Sequence, residues 1–288
     1  MDLDLAPALR LDLDVPPRLL ERMFQRVEET RRRLAATEPY YSVLGSVDFK
    51  PAWFSEHAAA CHKSGRGDVE RLPAWLRRNR IEPGKLWSCC EYGCGAGRIT
   101  AWLAPHFQRV IACDISAPYL DLAERHLASH GIATVTLLRI PDPGSLRKRV
   151  SAELVFSVLV LQHNPPPVMA YLLRSLLCWL NPKGVAYLQL PTYGLGYRFD
   201  AAKHVSSAVR EMETHILPQS AVFAIAAEED CTVREVAPDY KGGQSHWISS
   251  TFLLRKLSAG LNLSGRSGEK RRMPREAQGT AALLSLVR

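Results

Sequence analysis

Residues 87–100 read WSCCEYGCGAGRIT. An apolar lead-in ends in an acid, Glu91, and Gly93, Gly95 and Gly97 then alternate with Cys94 and Ala96 before a helix-forming stretch resumes. A chain that leaves a buried strand through three closely spaced glycines turns sharply. It presents bare backbone N–H groups at the start of a helix, where glycine permits positive φ and lets a ligand approach the main chain. This turn constrains the fold because the sequence after it repeats the same strand-then-helix grammar.

RVIACD reads as a second strand and SAPYLDLAERHLASHG as a helix, with Ser116 as its cap and Gly131 as its stop. ATVTLLR and ELVFSVLV supply a third and a fourth strand. PPPVMAYLLRSLLCWLNPKG is a helix with proline at its start, Asn164 as its cap and Gly184 after its end, and VAYLQL is a fifth strand. LPQSAVFAIAAEEDC reads as a further helix, and TVREVAPD and SHWISSTFLLRK as two closing strands. Strands that are continuously apolar and alternate with helices predict a parallel sheet covered on both faces.

The glycine turn narrows the ligand. A P-loop needs GxxxxGK[ST], which is absent, and the dinucleotide fingerprint is GxGxxG, whereas the spacing here is GxGxG. A second acid, Asp114, ends the next strand, where it is placed to accept both hydroxyls of a ribose. EYGCGAG together with ACDIS resembles the class I S-adenosylmethionine-dependent methyltransferases, over about residues 60–256. The resemblance implies an α/β fold: a seven-stranded, mostly parallel sheet with helices on both faces. In it the last strand is antiparallel and inserted between the fifth and sixth. It also implies S-adenosylmethionine as methyl donor, Gly93, Gly95 and Gly97 lining it, and Glu91 organising the turn. Asp114 would hold the ribose hydroxyls, with Ile115 beside the adenine. The adenine-side contact after the third strand would fall near Arg139–Asp142, and Glu153 takes the place where many relatives carry an aspartate.

The segment after the fourth strand, LVLQH, emerges at the carboxyl edge of the sheet, where ligands bind in open α/β folds. Gln162 is therefore assigned to the cofactor site and His163 is the candidate catalytic base for a hydroxyl acceptor; His246 is a further candidate. Before the core, HKSGRGD offers Lys63 or Arg66 as a positive charge for the cofactor carboxylate, or a solvated loop.

Four regions are expected. Residues 1–15 form a flexible N-terminus, residues 16–80 a helical extension or lid, residues 81–258 the methyltransferase domain, and residues 259–288 a basic, poorly ordered tail. PPRLLERMFQRVEETRRRLAAT has helical spacing of its apolar residues, its charged face being read as solvated, and DVERLPAWLRRN reads as a helix capped by Asp68.

The net charge of +8 is concentrated: the last 30 residues carry six basic and two acidic side chains, half of the excess. The nearly neutral body argues against a nucleic-acid footprint, and no DNA partner is expected. The acidic start MDLDLAPALRLDLDV has no signal-peptide pattern, and no apolar run is long enough to span a bilayer, so a cytoplasmic location is expected. Seven cysteines are an odd number, and the cluster Cys89, Cys90 and Cys94 has no CxxC pair or nearby histidine, so neither a disulfide framework nor a metal site is expected.

NPPPV at 164–168 resembles the amino-substrate signature of some methyltransferases but is displaced from the strand and lacks the aromatic residue. The acceptor is accordingly expected to be a small molecule or a saccharide, methylated on oxygen. Tyr40, Tyr41, Trp53, Phe54, Tyr193 and Tyr197 are candidate pocket walls or core residues. Two other readings stay open: a non-catalytic cofactor-binding protein serving regulation or assembly, and a methyltransferase of RNA or protein that uses the basic tail.

Overall fold

The computed structural model describes residues 9–37, 54–147, 150–208, 213–242 and 247–258. The tail over residues 259–288, Tyr40, Tyr41, Trp53 and His246 lie outside the described residues.

Seven strands form the central sheet: β2 (Ser88–Tyr92), β3 (Arg109–Asp114), β4 (Val135–Arg139), β5 (Ala152–Ser157), β6 (Leu180–Gly194), β8 (Cys231–Asp239) and β9 (Trp247–Lys256). A two-residue strand at each of two other places, β1 (Arg10–Leu11) and β7 (Arg198–Phe199), makes a small parallel pair of its own. The order across the large sheet is β4-β3-β2-β5-β6-β9-β8, parallel except that β9 runs antiparallel to both of its neighbours. This is the seven-stranded plan expected from the resemblance, with the last strand inserted between the fifth and sixth.

The helices are α1 (Pro17–Thr37), α2 (Phe54–Glu70), α3 (Leu72–Arg78), α4 (Thr100–Leu103), α5 (Ala117–Ser129), α6 (Pro166–Cys178), α7 (Ala201–Ser206) and α8 (Gln219–Glu228). Alternation along the strands divides the core. Cys90, Ile111, Val155 and Ala186 face a layer containing Met23 and Phe24 of α1, Leu172 and Leu176 of α6, and Val222 of α8. Their neighbours Cys89, Val110, Leu154 and Val185 face Val69 of α2, Trp75 and Leu76 of α3, and Leu103 of α4. The central strands β2, β3 and β5 are thus removed from water on both faces, which is why they read as unbroken apolar runs. Helix α6 is buried over most of its surface, and its proline-rich start suits a first turn that needs few backbone donors.

Two local expectations are corrected. HKSGRGD is helical, the last part of α2, so Asp68 sits inside a helix rather than capping one. Helix α6 starts at Pro166 after Pro165, without a side-chain cap. Asn164 instead turns its amide back to the carbonyls of Val160 and Leu161, at 3.1 and 3.2 Å, closing the short turn before the helix.

The first helix reaches further into the molecule than a solvated amphipathic helix would. Arg26 donates to the Ser207 carbonyl at 3.0 Å, and Glu28 pairs with Arg139 at 3.0 Å. The segment before it is fastened as well: Asp12 accepts from the Ala201 amide at 3.0 Å, beside the β1–β7 pair.

Candidate functional site: the cleft at the carboxyl edge of the sheet

A cleft of about 720 Å³, counting its open mouth, lies where β2, β3 and β5 end. Its wall includes Glu91, Gly93, Cys94 and Gly95 from the glycine turn, Asp114 and Ile115 after β3, and Val158, Leu159, Val160 and His163 after β5.

The three glycines do different work. Gly93 has φ +80°, and a Cβ there would stand 2.3 Å from a methyl carbon of Val160, so the turn is packed directly against the loop after β5. Gly97, at φ +82°, lets Ala123 of α5 approach; a Cβ would lie at 3.4 Å from it, and Gly97 faces that helix rather than the cleft. Gly95, at φ +52°, lines the cleft and donates its N–H to Asp114 Oδ2 at 2.9 Å.

Asp114 is nearly inaccessible yet carries its charge among donors. Its Oδ1 accepts the Ser116 amide at 2.9 Å and its Oδ2 the Gly95 amide. Burial raises its pKa above the ordinary aspartate value, while the Ser116, Gly95 and Ile115 amides and the Arg31 guanidinium oppose the rise. Glu91 is buried beneath the turn and accepts the Thr100 hydroxyl at 2.6 Å. Burial pushes its pKa up to about 7, against the pull of Thr100 and Arg98.

Helix α1 contributes Val27 and Arg31 to the cleft wall. Arg31 was not legible as a site residue because its helix has the pattern of a solvated charged face; only the fold brings it beside Asp114 and Tyr119. The positive charges proposed from HKSGRGD are elsewhere: Arg66 pairs with Glu70 at 2.6 Å on the exposed face of α2. Arg98, immediately after the glycines, is the buried cation of the wall. It pairs with Asp68 at 2.9 Å, and Asp68 also holds Lys241, just after β8.

On the other side of the cleft, Leu159 takes φ +64°, an unfavourable conformation for a branched residue. Its amide donates to Gln189 Oε1 at 2.8 Å. The Gln189 amide nitrogen donates in turn to Ser249 Oγ at 2.7 Å and Gln162 Oε1 at 3.1 Å. Gln162 is thereby committed to a buried polar network under the loop and does not line the cleft. His163 does line it. Its Nδ1 lies 3.3 Å from the Glu213 carbonyl, which can only accept, so Nδ1 carries the proton and Nε2 keeps its lone pair. Burial drives its pKa down to about 3, helped by nearby Arg31 and His215.

Other sequence candidates stand apart from the cleft. Glu153 accepts the Ser88 amide at 3.0 Å at the opposite end of the sheet. Asp142 accepts the Ser145 amide at 2.8 Å, Arg139 pairs with Glu28, and Tyr197 reaches His215.

Residues 90–184, which contain the glycine turn, Asp114 and His163, match the family model of a methyltransferase domain. That segment is a methyltransferase domain. No curated protein matches the sequence of this chain. Among solved structures, it is similar to the magnesium protoporphyrin IX methyltransferase from Synechocystis PCC 6803 with bound SAM. The two are 14% identical with a TM-score of 0.55, over 80% of this chain and 97% of that one. It is also similar to an S-adenosylmethionine-dependent methyltransferase from Clostridium acetobutylicum ATCC 824, at 14% identity and a TM-score of 0.51, over 68% of this chain and 92% of that one. At these identities the likeness concerns the fold.

A methyltransferase domain implies S-adenosylmethionine as methyl donor. The cleft suits it chemically: a buried carboxylate at Asp114, a guanidinium at Arg31, and apolar wall from Val27, Ile99, Ile115 and Val160. No helix among the described residues is long and apolar enough to cross a membrane.

Proposed function

We propose that the methyltransferase methylates a hydroxyl of a small-molecule or saccharide acceptor, with Asp114, Ile115, Gly93 and Gly95 holding the cofactor and His163 acting as base. S-adenosylmethionine, when bound, supplies an electrophilic methyl group on a sulfonium. The protein's part in such a reaction is to align the acceptor, exclude water and, for a hydroxyl, take up a proton.

The observation that carries the acceptor side is the state of His163. It lines the same cleft as the glycine turn, and the Glu213 carbonyl fixes the tautomer that leaves Nε2 able to accept a proton. An imidazole kept neutral by burial is available as an acceptor throughout the neutral range. Asp114 is the residue for the ribose hydroxyls because backbone amides hold its two oxygens in place at the cleft wall. We read residues 16–80 as a lid, since α1 places Val27 and Arg31 over the cleft. A cleft walled by that helix suits a compact acceptor better than a polymer duplex.

The test is a comparison of metabolites and glycans from wild-type and deletion cells, followed by incubation of the purified protein with the extract and isotopically labelled S-adenosylmethionine. The proposal expects one methylated hydroxyl compound to be missing from the deletion strain and to be formed by the purified protein. Label arriving on RNA, protein or an amine instead contradicts it.

A further inference from the structure

Downstream of residues 90–184 the fold assembles a second group of chemistry-bearing side chains, none of which lines the cofactor cleft. His204 lies on α7, and Glu213 and His215 lie on the segment that leads to α8. One ring nitrogen from each histidine and a carboxylate oxygen of Glu213 all lie within 4.8 Å of one another. Glu213 Oε2 is 3.5 Å from His204 Nδ1 and 3.3 Å from His215 Nε2.

His215 is 7% exposed, and its buried Nε2 faces Glu213 Oε2 at 3.3 Å without good hydrogen-bond geometry. A buried ring nitrogen in that state costs free energy unless something else satisfies it. Its other nitrogen is engaged: Nδ1 lies 2.8 Å from the Tyr197 hydroxyl. In the tautomer whose Nδ1–H donates to that oxygen, the Nε2 lone pair is directed to the space shared with Glu213 and His204. Phe199 packs against both imidazoles, with ring centroids at 5.2 Å from His204 and 5.5 Å from His215, and supplies an apolar wall.

We propose that His204, Glu213 and His215 form a binding site for a divalent first-row transition-metal ion of the zinc class. Two neutral imidazoles and one carboxylate are a donor set that such ions prefer over calcium or magnesium, which favour oxygen alone. The spacing fits as well. Ligands about 2.1 Å from a tetrahedral ion stand about 3.4 Å from one another, close to the two separations from Glu213 Oε2. Tyr197 then serves as the outer partner that fixes the tautomer and orientation of a metal-bound histidine. Three protein ligands leave a coordination position open to water or to an oxygen of another molecule.

The site is fastened to the cofactor cleft. The His215 amide donates to the Gln162 carbonyl at 2.7 Å, and His163 Nδ1 meets the Glu213 carbonyl at 3.3 Å. The metal assignment does not depend on the methyl-transfer reading, because it rests on the three ligands and on His215 Nε2.

The test uses the full chain, freed of metal by a chelator and titrated with Co²⁺, with visible absorption and calorimetry as readouts and Zn²⁺ as competitor. The expected result is one Co²⁺ per chain with the intense visible bands of a four- or five-coordinate ion, displaced by Zn²⁺. His215→Ala and Glu213→Gln should abolish stoichiometric binding. Glu213→Gln retains the side chain's shape, so it also decides the matter if His215→Ala fails to fold, as judged by circular dichroism. Tyr197→Phe, which removes only the outer partner, should weaken Co²⁺ binding by about 10–100-fold. Absence of stoichiometric Co²⁺ binding by the wild-type chain, or unchanged binding by Glu213→Gln, overturns the proposal.

Discussion

Gly95 and Asp114 are joined directly: the Gly95 amide donates to Asp114 Oδ2 at 2.9 Å, so the glycine turn and the acid at the end of the neighbouring strand are one unit. Substituting either residue therefore disturbs the other. In Asp114→Ala the Gly95 and Ser116 amides lose their acceptor, and the hydroxyls assigned to this carboxylate lose theirs. The expected cost in S-adenosylmethionine affinity is about 1–3 kcal/mol, or roughly 5- to 150-fold. Calorimetry checks it; an unchanged affinity removes Asp114 from the cofactor site.

Gly93 tests the packing half of the turn. A Cβ at this position meets the Val160 side chain at 2.3 Å, and its φ of +80° is unfavourable for any L side chain. Gly93→Ala should lower both stability and cofactor affinity. Adding Val160→Ala removes the clash but not the backbone strain, so the double variant should recover part of the thermal stability. Full recovery would mean that the conformation at Gly93 costs nothing; no recovery would mean that Val160 is not the obstacle.

Glu91 makes a prediction about pH. Its carboxyl is raised by burial to about 7 from the model-compound value of 4.5. The native chain then binds this proton more tightly than the unfolded chain does. The contribution to stability is fully present below the ordinary carboxylate pKa and is lost as pH rises toward about 7, with a magnitude of roughly 3 kcal/mol. Glu91→Gln, which can still accept the Thr100 hydroxyl, should flatten that part of the profile. Denaturant unfolding at a series of pH values measures it, and an identical slope in wild type and variant contradicts the assignment.

For His163 the structure changes the expected pH dependence. An unperturbed histidine would lose activity below a pH of about 6.5. Burial moves this one to about 3, so the rate should show no histidine limb between neutral pH and about 4. A base that weak lies at the low end of the usual range, and His163→Ala should reduce turnover on a hydroxyl acceptor by about 10²-fold with cofactor affinity nearly unchanged. Undiminished turnover in the variant returns His163 to a structural role.

The fold was legible because the central strands are apolar on both faces and proline or glycine marks several helix ends; the closing antiparallel strand came from the family resemblance. Within the site, Gly93, Gly95, Glu91 and Asp114 are local in sequence or end consecutive strands, so a motif captures them. Arg31 and Gln189 are not of that kind. Arg31 sits in an ordinary amphipathic pattern, and Gln189 looks like one polar residue in an apolar strand; each acquires its partners only when distant segments meet. The His204, Glu213 and His215 group escaped for the same reason, since its ligand spacing follows no short metal motif. Gln162 shows the converse: its place after β5 suggests the cleft, but Gln189 draws its side chain into the network below.

The central claim is that the glycine turn with Asp114 holds S-adenosylmethionine, and calorimetric titration of wild type and Gly95→Val with S-adenosylmethionine, S-adenosylhomocysteine and NAD tests it most directly. A β-branched side chain at φ +52°, on the cleft wall, is both strained and in the way of a ligand. The account predicts that the wild-type protein binds S-adenosylmethionine and S-adenosylhomocysteine but not NAD, and that folded Gly95→Val binds none of them. Tight NAD binding without S-adenosylmethionine binding, or normal S-adenosylmethionine binding by Gly95→Val, would contradict it.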